Sequence, residues 1–142
     1  MILDSQEIFS AAQAVTSTGD TASTNVLDTL AAQDEGVGHS VYLVCQVNTT
    51  ATSGGSATVQ AVLQTSADNS SWSDVAAGAA VAVASVTAKT QLFRTKLPLG
   101  LQRYVRVVWR VGTAALTAGK FDAFLTMDIQ QSTPYASGFS VS

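Results

Sequence analysis

Cysteine, proline, histidine and charge are all scarce in this chain, and each scarcity excludes something. A single cysteine, Cys45, leaves no intramolecular disulfide to form, and its apolar setting in VYLVCQV reads as a small core residue. A single histidine, His39, lies in the loop sequence EGVGHS with no nucleophile elbow anywhere in the chain, so it reads as a solvated loop residue rather than the base of a Ser-His-Asp triad. With one histidine and one cysteine a soft-ligand metal site has too few donors, and the carboxylates Asp34 and Glu35 lack the alternating oxygen pattern of a calcium loop. Gly36 and Gly38 stand in no βαβ unit that would bind a dinucleotide. Asp122 and Asp128, six residues apart on one strand, would be about 20 Å from each other, too far for a glycosidase pair. The residues thus predict neither an enzyme nor a cofactor. No apolar run approaches the ~20 residues of a membrane span, and the acidic start MILDSQEIF lacks the basic region of an export signal. The expected setting is the cytoplasm of the producing cell, with no membrane partner.

Charged residues make up only 12% of the 142 positions, and the distribution of sign is uneven. Residues 1–88 hold eight carboxylates and no Lys or Arg, whereas all seven basic residues lie between 89 and 120 in a segment without acid. Two readings stand: the blocks neutralise one another once strands interleave, or Arg94, Lys96, Arg106 and Arg110 form a basic strand face toward an acidic partner. The second requires residues 97–103 to be a simple hairpin, since a jelly-roll crossover would put the two strands in opposite sheets. A pI near 4.7 and the lack of any recognition motif argue against nucleic acid. A surface rich in Ala, Ser, Thr and Val suits a protein packed against others.

What is present is alternation. In residues 97–111, LPLGLQRYVRVVWRV, Val105, Val107, Trp109 and Val111 share one parity and Tyr104, Arg106, Val108 and Arg110 the other, the period of a strand buried on one face. Residues 41–47, 57–65, 91–97 and 121–130 alternate in the same way, with a short edge strand at 13–18, a better strand at 25–30, turns at 17–24 and 66–71, and at 76–85 a loop and weak strand with a helix as the alternative. The runs 41–47 and 57–65, joined by a Gly-containing loop, read as an antiparallel pair. Leu43, Cys45, Val59, Leu63, Phe93, Val105, Val107, Trp109, Leu125 and Met127 are the expected core. The chain divides into an arm at 1–12, a sandwich domain at 13–130 and a tail at 131–142, with residues 1–9 and 131–142 ordering only on assembly. In the arm, Asp4 and Glu7 have the spacing of a capping box, with an extended arm as the alternative. Seven to nine short strands without a helix predict an all-β, two-sheet antiparallel β-sandwich.

The segments FSAAQAVT at 9–16, STNVLD at 23–28, VYLVCQV at 41–47, LQTSADNSSW at 63–72, LPLGLQRYVRV at 97–107 and TAGKFDAFLTMDIQ at 117–130 follow one another in a way that resembles the capsid cement, or decoration, proteins of short-tailed Bordetella-type bacteriophages. The resemblance implies a jelly-roll-like sandwich on the outer face of an HK97-type shell in the virion, bound to the major capsid protein. It further implies a homo-oligomer, a dimer in preference to a trimer, that clamps neighbouring capsomers without enzymatic activity. Strand parity and the apolar termini supply the candidate interface: Ile2, Leu3, Ile8, Phe9, Trp72, Arg94, Lys96, Tyr104, Arg106, Arg110, Tyr135 and Phe139. A competing expectation is a carbohydrate-binding or host-adhesion module of the virion, with Trp72 and Tyr104 as stacking faces.

Overall fold

A computed structural model describes residues 3–129. They form ten strands: β1 Ile8–Ala14, β2 Gly19–Ala22, β3 Leu27–Asp28, β4 Tyr42–Thr52, β5 Thr58–Ser66, β6 Ser73–Ala77, β7 Val81–Ala82, β8 Gln91–Lys96, β9 Tyr104–Gly112 and β10 Ala118–Thr126. One sheet has the order β1-β10-β4-β8. The other runs β2-β9-β5-β6, with β3 continuing the β2 edge along β9 and β7 continuing the β6 edge along β5. Every pairing is antiparallel. With each broken edge counted as one strand, this is the double Greek-key order of a jelly roll, so the expected two-sheet sandwich is found and its topology is defined.

Alternation locates the core as expected in β9. Val105, Val107, Trp109 and Val111 are buried, and Trp109 stacks on Phe121 of β10 in the facing sheet with ring centroids 4.8 Å apart. Leu43, Cys45, Val59, Leu63 and Leu125 complete this part of the core, with Phe93 half-buried against it. Val108, read as outward-facing, is nonetheless buried, as is Val62 opposite it.

Several expectations are corrected. The runs containing β4 and β5 do not pair with each other: β4 lies between β10 and β8, β5 between β9 and β6. Alternation fixes which face a residue shows but carries no information about its partner strand, and residues 53–57 here carry the chain from one sheet to the other. Met127 is 68% exposed because the pairing ends at Thr126, opposite Tyr42, so parity no longer applies to it. The arm stops well short of residue 12. Asp4 caps a single 3-10 turn, Ser5–Glu7, accepting from the Gln6 N–H at 2.9 Å, and β1 begins at Ile8. Residues 17–24, read as a turn, contain β2.

Consecutive strands pair only once among the described residues, in the β5–β6 hairpin. Its turn is built around Asp68, whose carboxylate Oδ1 accepts from the Ser70 and Ser71 N–H groups and from the Ser66 hydroxyl. Asn69 supplies the left-handed residue, φ 58°, a conformation Asn tolerates better than most.

Candidate interaction surface

The crossover between β8 and β9 decides the basic face. β8 places Arg94 opposite Val44 and Lys96 opposite Tyr42 in one sheet, whereas Arg106 and Arg110 lie on β9 in the other. The four cations therefore do not share a face, because the 97–103 connection changes sheets instead of turning back as a hairpin.

On β9 the cations are held within the protein. Arg110 makes a two-pronged pair with Asp20 of β2, at 2.7 and 2.9 Å, and a third bond at 3.2 Å to Asp74 of β6. Cross-strand register brings these groups together, since Asp20 is directly opposite Arg110 and Gln60 lies on its other side. Hydrogen bonding from Arg110 holds the Asp20 carboxyl below its ordinary range, Gln64 and then Arg110 do the same for Asp74, and the guanidinium is pushed up in turn. Arg106 donates to Gln64 Oε1 at 2.9 Å and lies 4.0 Å above the Trp72 ring. Arg103 forks onto Asp28 at 2.7 and 2.8 Å and stacks over Tyr104 at 4.8 Å. The cation stacking contributes about 0.5–1 kcal/mol each at exposed positions, and it covers one face of each ring expected to be a sugar platform.

The remaining interface residues disperse. Phe9 is 1% exposed and belongs to the core, while Ile8 opposite Phe124 is half-buried. Leu3 is exposed. Ile2, Tyr135 and Phe139 lie outside the described residues, as does the tail. Among the described residues no three His, Cys, Asp or Glu side chains are grouped to hold a metal, and no helix is long and apolar enough to cross a membrane.

Sequence reasoning missed a different assembly, at the end of the sandwich marked by Tyr42 and Tyr104. There the segment before β1, the 29–41 loop and the end of β10 enclose a groove of about 820 Å³ lined by Asp4, Glu7, Glu35, His39, Met127 and Asp128, among others. The 29–41 loop is tied at this end by the Thr29 N–H to Arg103 carbonyl bond (3.0 Å), the Gly100 N–H to Asp34 Oδ1 bond (2.7 Å) and the Leu97 N–H to Val41 carbonyl bond (2.8 Å). Gly36 is required within it: φ is +73°, and a Cβ would sit 2.6 Å from the His39 carbonyl oxygen. Burial, followed by the charges of Asp4 and Glu35, raises the Glu7 carboxyl above its ordinary value.

The jelly-roll order, the internally paired arginines and the open groove define a β-sandwich that offers broad outer surfaces. The chain belongs to the Bbp16 family, whose model matches residues 9–125, from β1 into β10, and which is phage-associated. No curated protein matches the sequence.

Proposed function

We propose that this chain is a structural virion protein that binds the outer surface of an HK97-type phage capsid and cements neighbouring capsomers, acting as a homo-oligomer, a dimer in the first instance. The observation that carries this reading is membership of a phage-associated family across the whole sandwich, residues 9–125. A sandwich with few charged residues, whose β9 arginines are satisfied internally, suits adhesion by shape and apolar contact. On a shell, many copies each adding a weak contact sum to a large resistance against internal pressure.

The test is co-sedimentation of the purified protein with empty shells that lack it, followed by thermal disruption of the decorated shells. Saturable binding with a higher disruption temperature is expected. Failure to bind, or binding with no gain in resistance, would reject cementing.

A further inference from the structure

We propose that the end of the sandwich marked by Tyr42 and Tyr104 is the face that docks on the capsid, and that it receives a basic segment of a capsid subunit carrying apolar side chains. This assignment rests on the capsid-binding reading above.

The first observation is charge. Five segments meet at this end, residues 3–7, 29–41, 67–72, 97–103 and 127–129, as the register Thr126 to Tyr42, Lys96 to Tyr42 and Ser66 to Tyr104 requires. They carry six carboxylates and one basic residue, Arg103, which is engaged with Asp28. Lys96, the last residue of β8, is the one other cation to reach this end. At the opposite end, the connections 15–18, 53–57, 78–90 and 113–117 contain no carboxylate and a single cation, Lys89. The two blocks of charge seen in the sequence meet on the second sheet, where Arg110 is paired with Asp20 and Asp74, but not at the ends.

The second observation is independent of charge. Among the described residues, the four most exposed large apolar side chains, Leu30, Val37, Leu99 and Met127, at 67–80% exposure, all lie on these same segments. The opposite end tucks its apolar residues inward, with Val15, Val86 and Leu116 all buried. Clustered exposed apolar groups rimmed by one sign of charge mark an interaction site. The groove carries both, since Val37 and Met127 line it beside Asp4, Glu7, Glu35 and Asp128. Burial first, and then the charges of Asp4 and Glu35, raise the Glu7 carboxyl above its ordinary value, and a cationic side chain entering the groove would offset that charge crowding.

Charge complementarity also selects among occupants. A second copy docked through the same end would oppose like charges, and one docked head-to-tail through its opposite end would bring little positive charge, that end holding the single cation Lys89. A basic, apolar surface on the shell meets both requirements.

The experiment is co-sedimentation of the full chain with empty shells at low and moderate salt, alongside three double variants: Val37→Ser with Met127→Ser, Glu35→Lys with Asp128→Lys, and Lys89→Glu with Lys120→Glu. Melting curves of each free protein establish that the substitutions, on exposed side chains apart from the half-buried Glu35, leave the fold intact. Both variants at the acidic end are expected to bind at least ten-fold more weakly, the charge-reversed one losing most of its salt dependence, while the lysine variant binds as wild type. Wild-type affinity in the two acidic-end variants, or loss confined to the lysine variant, would overturn the assignment while leaving capsid binding standing. Conversion of a free dimer to monomer by the acidic-end variants would show that a second copy occupies this end, which also overturns it. If wild-type protein binds no shells, the capsid reading itself fails and the assignment fails with it.

Discussion

The indole N–H of Trp109 crosses the sandwich to donate to Ser10 Oγ at 3.2 Å, joining β9 of one sheet to β1 of the other inside the core. Ser10 in turn donates to Gln13 Oε1 at 2.6 Å, so the buried hydroxyl is satisfied as donor and acceptor. Trp109→Ala removes the stack on Phe121 together with this bond, and a loss of about 3–5 kcal/mol is expected from the lost burial and the cavity together. Trp109→Phe keeps much of the ring but withdraws the donor from Ser10, with an expected loss of about 1–3 kcal/mol. Urea unfolding of the two variants checks both, and an unchanged midpoint in Trp109→Ala would refute the core assignment.

The Arg110, Asp20 and Asp74 cluster predicts a pH dependence. Both carboxyls are held low in the folded protein, so the stability they contribute is present above their unfolded values, near pH 4, and is lost as pH falls through the lowered folded values. The side chains are 36–46% exposed, and solvent screening limits the effect to about 1 kcal/mol at neutral pH. Arg110→Ala is expected to lower stability by about that amount at pH 7 and to converge on wild type toward pH 2. Thermal melts across that range are the measurement.

Replacing Arg106 and Arg110 together by Ala is expected to leave the salt dependence of shell binding unchanged. Their charges are answered by Asp20, Asp74, Gln64 and Trp72, and salt-dependent association is governed by charges that face the partner. A shallower salt slope in the double variant would return the basic strand to the interface.

Cys45 is fully enclosed, and burial pushes its thiol far above the ordinary range. The thiolate is the reactive form, so native protein should resist a thiol reagent such as DTNB, and labelling should follow the global unfolding curve in denaturant. Rapid labelling of the native protein would show local opening at β4.

How far the sequence reaches is visible residue by residue. Val105, Val107, Trp109 and Val111 announce their shared face because β9 is regular and central. β1 is obscured by two register shifts and by Ala12 at φ 47°, whose N–H is held by the Asp122 carboxylate at 2.6 Å; bulges break the period that pattern reading depends on. The β4–β5 pairing failed for another reason, since a period of two specifies faces and leaves strand partners open. Most of the surface assignment was beyond reach: Glu7, Glu35, Leu99 and Met127 acquire a common location only when loops distant in sequence gather at one end. The charge blocks were the one legible hint, and on the second sheet Arg110 meets Asp20 and Asp74.

In the first sheet β10 lies between β1 and β4, which places the last of the described strands to be synthesised at the middle of the layer. On a ribosome, β1 and β4 emerge with their shared neighbour still unmade, and neither can bury its side toward β10 until residue 126 has cleared the exit tunnel. This half of the sandwich must therefore close after translation of β10, and a chain stopped before Ala118 would lack the central seam that joins its first strand to the layer.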